Sequence, residues 1–124
     1  MSKKILLIED QPELRRVLAL SLRSLGYELL EAADGQTGIG MALTEKPDLV
    51  LLNLTLPGIN GVQVTKQLKA DSKTSHIPIV ACSGWQDKTM VTQSIKAGVA
   101  EYLAKPVSPN KIDAVIKRHI GAEE

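Results

Sequence analysis

Residues 47–61 read Pro47-Asp48-Leu49-Val50-Leu51-Leu52-Asn53-Leu54-Thr55-Leu56-Pro57-Gly58-Ile59-Asn60-Gly61. The stretch Asp48–Asn53 carries an unbroken aliphatic run, Leu49-Val50-Leu51-Leu52, instead of the apolar-polar alternation of a strand with one wet face. That pattern predicts a central strand of a parallel sheet, covered by helices on both sides. Pro57-Gly58 and Asn60-Gly61 behind it are turn chemistry, and apolar residues then return at helical spacing over Gly61–Ala70. Strand, turn and helix in that order make a βα unit.

Outward from this segment the same alternation continues in both directions. Further strands are predicted at Lys4–Glu9, Tyr27–Ala32, Ile77–Cys82 and Glu101–Ala104. A first helix starts near Pro12 and ends at Gly26, with Leu14, Val17, Leu18, Leu22 and Leu25 as its expected buried stripe. Others span Gly35–Glu45 and Lys88–Ala97, and a last one has Ser108 as N-cap, Pro109 in its first turn, and Ile112, Val115, Ile116 and Ile120 on one face. Gly35–Glu45 is the weakest of these, because Gly35, Gly38 and Gly40 lower helix propensity. Five strands alternating with five helices imply an α/β fold, a doubly wound parallel sheet with right-handed crossovers.

Composition agrees with one compact domain over residues 1–124: 124 residues, 44% hydrophobic and 23% charged. Fifteen Lys and Arg against fourteen Asp and Glu leave a formal charge of +1, too small a basic footprint for a nucleic-acid or membrane-surface binder. Aromatic content is 2%, with no Phe, which removes the stacking platforms of single-strand binders. Apolar runs such as Ile5-Leu6-Leu7-Ile8 fall far short of the roughly 20 residues that cross a bilayer, and this one breaks at Glu9-Asp10, too early for a signal-peptide core. The lone Cys82 forms no internal disulfide. A soluble, cytoplasmic protein is expected, and no DNA-binding or catalytic output segment is readable after the last helix.

In open parallel sheets the functional crevice lies beyond the carboxyl ends of the strands. Those ends are Glu9-Asp10, Asn53, Ser83-Gly84 and Lys105-Pro106, while the second strand ends in Ala32-Ala33. If the strand order is 2-1-3-4-5, the polar ends share one rim. Two carboxylates suit an oxygen-preferring divalent cation such as Mg²⁺, and Lys and Ser supply donors to an anion's oxygens. Each of these residues also has a plainer use: Glu9-Asp10 as a helix cap, Ser83-Gly84 as a turn, Lys105 as a surface lysine. Cys82 reads as a small buried hydrophobe, and His76 and His119 as surface residues without ligand spacing. Trp85, in a loop on the rim, reads either as a partner anchor or as a ring packed on the fourth helix.

Ile8-Glu9-Asp10, the segment 47–61, Ile79-Val80-Ala81-Cys82-Ser83 and Tyr102-Leu103-Ala104-Lys105-Pro106 together resemble, from about Lys3 to Ile120, the receiver domain of two-component response regulators of the chemotaxis-receiver type. The resemblance implies a flavodoxin-like (βα)5 fold with strand order 2-1-3-4-5. It implies that Glu9 and Asp10, with the backbone carbonyl of Thr55, form a Mg²⁺ site, that Ser83 and Lys105 contact a phosphoryl group, and that Tyr102 is the aromatic switch. It also places Asn53 on the aspartate that accepts the phosphoryl group from a histidine kinase. A neutral carboxamide keeps the aspartate's shape but is not a carboxylate nucleophile. The expectation is a non-enzymatic signalling module, a natural pseudo-receiver or an inactivated variant, with Mg²⁺ binding weakened or lost. Lys105, deprived of its ion-pair partner, is expected to lean toward Asp10. Thr55 and Ser83 are the only substitute acceptors, with no general base evident beside either. The expected partners are a histidine kinase or a downstream signalling protein, with a homodimer as an alternative. They would meet the face of the fourth helix, fifth strand and fifth helix, where Lys88, Gln93, Lys96, Tyr102 and Lys117 are candidates.

Overall fold

The computed structural model describes residues 2–84 and 87–121, so Trp85 lies outside the described residues. Its strands are β1 (Lys4–Ile8), β2 (Glu28–Ala32), β3 (Leu49–Asn53), β4 (Ile79–Ser83) and β5 (Glu101–Ala104). The helices are α1 (Pro12–Ser24), α2 (Gly35–Glu45), α3 (Gly61–Ala70), α4 (Lys88–Ala97) and α5 (Pro109–Ile120). All strand pairs are parallel and the order is β2-β1-β3-β4-β5. Strand ends move by a residue or two: Glu9 and Tyr27 fall outside their strands, and Ser83 closes β4 instead of following it.

Because successive strand residues point to opposite faces, the aliphatic run of β3 feeds two cores. Leu49 and Leu51 join Ile5, Leu7, Val80 and Cys82 under α1 and α5. Val50 and Leu52 join Leu6, Ile8, Ile79 and Ala81 under α2, α3 and α4. Asn60 starts α3 with a reciprocal cap, its side chain accepting from the Gln63 amide at 3.0 Å while the Gln63 side chain accepts from the Asn60 amide at 2.8 Å. Ser108 caps α5 as expected.

The glycines of α2 serve packing at the expense of propensity. A Cβ on Gly35 would stand 2.7 Å from a Val64 methyl, and one on Gly38 would run into the Ile8 side chain. Asp34 compensates as N-cap, accepting from the Thr37 amide at 2.8 Å.

One part of the predicted α1 stripe is wrong. Ala19 and Leu22 are buried and Leu14, Leu18 and Leu25 half-buried, but Val17 is 58% exposed. At about 100° per residue Val17 lies roughly 140° around the helix from Leu22, outside an apolar face of ordinary width. Among the described residues no helix is long and apolar enough to cross a membrane.

Candidate functional site

The strand order brings the carboxyl ends of β1, β3, β4 and β5 side by side. Asn53 ends β3 and is 5% exposed; Glu9, just past β1, is 1% exposed. The Asn53 carboxamide nitrogen donates to Glu9 Oε2 at 3.2 Å, Asp10 Oδ1 at 3.2 Å and the Thr55 carbonyl at 2.7 Å. Two amide hydrogens thus serve three acceptors. On the other side, Lys105 Nζ donates to Asn53 Oδ1 at 3.0 Å and to Glu9 Oε1 at 3.4 Å. The contacts fix the amide orientation, since turning it over would set oxygen against three oxygens and NH₂ against an ammonium.

Lys105 therefore pairs with Glu9, and the expected lean toward Asp10 is not what the structure has. The buried carboxylate is the one whose desolvation an ammonium offsets best. Burial pushes the Glu9 carboxyl above its ordinary value, opposed by the Gln11 backbone N–H and by Lys105. The Gln11 amide donates to Glu9 Oε2 at 3.1 Å, and Arg15 Nη1 donates to the Glu9 carbonyl at 2.9 Å. Neither Glu9 nor Asp10 caps α1: the N-cap is Gln11, without a side-chain cap. Among the described residues every buried side-chain nitrogen or oxygen has a hydrogen-bond partner.

A second cluster faces the first across the rim. Ser83 Oγ donates to Asp87 Oδ2 at 2.7 Å, and Thr55 Oγ1 reaches the same oxygen at 3.3 Å. This corrects the expectation that no base stands beside either hydroxyl. Asp87 is the N-cap of α4, yet its side chain caps nothing and turns to these hydroxyls instead. The spacing from Ser83 to Asp87 across a strand-to-helix turn was the available clue. The Ser83 carbonyl accepts from the Lys105 amide at 2.8 Å and from the Tyr102 hydroxyl at 3.3 Å, tying β5 to the end of β4. Asp10, Gln11, Asn53, Thr55, Asp87 and Lys105 line an open cleft of about 370 Å³.

The remaining candidates lie apart from the cleft. Lys88, Gln93, Lys96 and Lys117 are exposed and Tyr102 half-buried. Burial pushes the Cys82 thiol up to about 12, as befits a core residue. His76 is exposed, whereas His119 is half-buried with Nε2 2.9 Å from Glu101 Oε1, a structural pairing and not a bare surface position.

The sequence profile of the response regulator receiver domain matches residues 5–117. This chain belongs to the response regulator receiver family. Among curated proteins, the phosphate regulon transcriptional regulatory protein PhoB of Pseudomonas aeruginosa is 34% identical over 117 residues, covering 94% of this chain and 51% of PhoB. The protein PilH of the same organism is 36% identical over 104 residues, covering 84% of this chain and 86% of its own. The chain spans about half the length of the transcriptional regulators it matches. Among solved structures, the receiver domain of a sensor histidine kinase of Pseudomonas aeruginosa superposes with a TM-score of 0.91 at 30% identity, covering 98% of this chain and all of that one. That structure holds a magnesium ion coordinated in its active-site cleft. The chemotaxis regulator CheY4 of Vibrio cholerae, at 22% identity and a TM-score of 0.88, shares the flavodoxin-like fold.

Proposed function

We propose that this receiver domain acts as a protein-interaction module of a two-component pathway and takes no phosphoryl group at position 53. One observation carries the reading: the Asn53 NH₂ group points at Glu9, Asp10 and the Thr55 carbonyl together. A carboxylate nucleophile would present an oxygen to the incoming phosphorus. Here the carboxamide oxygen is held by Lys105, and the nitrogen lone pair is delocalised into the amide.

The same contacts bear on metal binding. Mg²⁺ requires near-octahedral oxygen ligands, and a receiver's acidic pair, acceptor and backbone carbonyl supply them. In this chain the three candidate oxygens are each engaged by an N–H donor at a position where a metal would need another oxygen ligand, and position 53 offers no carboxylate. Among the described residues no group of three or more His, Cys, Asp or Glu is disposed to hold a metal. Mg²⁺ does not fit this arrangement, so no step of the proposed function runs through it. Glu9, Asp10, Asn53 and Lys105 form a cross-linked floor, with the Lys105 ammonium offsetting the buried Glu9 carboxylate, that fixes the ends of β1, β3 and β5.

With the floor fixed, signalling falls to surface contacts. The exposed Lys88, Gln93, Lys96 and Lys117 around α4, β5 and α5, with Tyr102 between them, form the proposed docking face for a histidine kinase, a downstream protein or a second copy. The domain acts in the cytoplasm, without nucleic acid, membrane or catalytic turnover of its own.

The test is intact-mass analysis after incubation with acetyl phosphate and Mg²⁺. The parent is expected to stay unmodified and Asn53→Asp to gain one phosphoryl group. A stoichiometric adduct on the parent would overturn the proposal. It would favour a second reading, supported by Asp87: phosphoryl acceptance by Thr55 or Ser83, with Asp87 taking the hydroxyl proton.

A further inference from the structure

A larger cavity of about 490 Å³ lies behind the cleft, between α1 and α5. Its walls are apolar: Leu14, Leu18, Leu51, Cys82, Val107 and Ile112 face it, and Val17 stands at its mouth. Protein interiors are packed to crystal-like density, and unfilled apolar volume costs stability. The chain has no Phe, and among the described residues the one ring in this core is Tyr27, whose hydroxyl is committed to Asp113 at 2.5 Å.

The inner end of the cavity is polar and belongs to the site already described. Glu9, Asn53 and Lys105 line it. Lys105 has three N–H donors, of which Asn53 and Glu9 take two among the described residues. An apolar chamber of this size, closed by a few convergent polar groups, has the form of a small-molecule site.

We infer that the α1–α5 cavity binds a small uncharged molecule with a ring-sized hydrocarbon body and one acceptor oxygen, seated against Lys105. The absence of charge follows from the electrostatics of the end wall. Glu9 and Lys105 are the charged residues of that wall and already pair, so an anionic head would compete with the buried Glu9 for the ammonium, and a cationic head would displace the ammonium that offsets the burial of Glu9. A neutral carbonyl accepts the remaining Lys105 hydrogen without disturbing either. Such a ligand would bridge α1 to the β5–α5 connection and touch Asn53, giving the domain a chemical input beside position 53. The inference does not require the cleft to be free of metal or phosphoryl chemistry.

Acetophenone, with benzoate as its anionic counterpart, tests this by methyl and side-chain amide NMR on the intact chain. Acetophenone is expected to shift the Leu18, Val107 and Ile112 methyls and the Asn53 carboxamide saturably, with benzoate at least about tenfold weaker. Val17→Trp, a plug at an exposed position, is expected to abolish the shifts while leaving the fold intact by circular dichroism; Ser21→Phe, also on the cavity wall, serves if Val17→Trp fails to fold. Shifts that are absent, scattered over the surface, equal for benzoate, or unchanged by the plug overturn the inference. So do cavity-methyl shifts that depend on protein concentration alone, which would mean that a second copy occupies the groove.

Discussion

Replacing Asn53 by Asp exchanges an N–H donor for an oxygen that bears charge. The new carboxylate would stand about as far from Glu9 Oε2 and Asp10 Oδ1 as the amide nitrogen does now, 3.2 Å from each. At an effective dielectric of about 20, unit charges at that distance repel by about 5 kcal/mol per pair, and Lys105 returns about 5 kcal/mol of attraction. About 5 kcal/mol of strain remains before relaxation. Protonation limits it: holding one carboxyl neutral at pH 7, roughly three units above its ordinary pKa, costs about 4 kcal/mol. Side-chain rotation and water lower it further, so metal-free Asn53→Asp is expected to be about 2–4 kcal/mol less stable than the parent. For a chain of this length that is roughly 8–15 °C in Tm. Mg²⁺ supplies the missing positive charge, and each tenfold rise of free metal above its Kd should return about 1.4 kcal/mol. Calorimetry of both proteins with EDTA and with a Mg²⁺ series makes the comparison. The parent is expected to show no metal dependence. Equal stability of the two proteins in EDTA, or a Mg²⁺ response as large in the parent as in the variant, would refute the role given to the Asn53 amide.

Other expectations follow from single contacts. Gly61→Ala would place a Cβ 2.6 Å from Leu54 Cα and 2.9 Å from the Asn53 carbonyl oxygen, backbone atoms that cannot swing aside; a loss of about 1–3 kcal/mol should appear in urea unfolding, and an unchanged midpoint would contradict the packing. Asp87→Ala strips the buried Ser83 hydroxyl of its acceptor and should cost about 1–3 kcal/mol, measured the same way. Hydrogen bonds from His119 and Arg118 hold the Glu101 carboxyl below its ordinary 4.5, and one from Tyr27 holds Asp113 below 3.8. The stabilisation from both is therefore present above those ordinary values and lost as pH falls through the lower folded-state values. Acid unfolding followed by Tyr27 fluorescence or circular dichroism should show Glu101→Gln with a flatter pH dependence below about pH 4.5 than the parent. Leu51→Ala, at a position 1% exposed, should cost about 2–5 kcal/mol, and a loss under 1 kcal/mol would mean that the neighbouring cavity is already collapsible.

The fold was legible because its causes are local. Leu49-Val50-Leu51-Leu52 states its own two-sided burial, Ser108 states where the last helix begins, and Gly26 closes the first at positive φ, whereas Asn60, read as turn chemistry, proved also to cap α3. Val17 was misplaced although the sequence held the answer, since its angular distance from Leu22 needed only the helical pitch. The glycines of α2 were different. Their low propensity is a local fact, whereas the reason for them is the Ile8 and Val64 side chains that a Cβ would strike, which only the packed structure supplies.

The site divides along the same line. Residue identities alone determined that Glu9, Asp10, Asn53, Ser83 and Lys105 stand at strand ends and that position 53 lacks a carboxylate, because charge and nucleophilicity belong to the side chain itself. Tertiary structure decided which way the Asn53 amide turns, that Lys105 chooses Glu9 over Asp10, and that Asp87 leaves its own helix to hold Ser83 and Thr55. It also opened the α1–α5 cavity. Hydrogen-bond direction, desolvation and empty volume depend on atoms that neighbour one another in space, brought together from positions up to 96 residues apart along the chain.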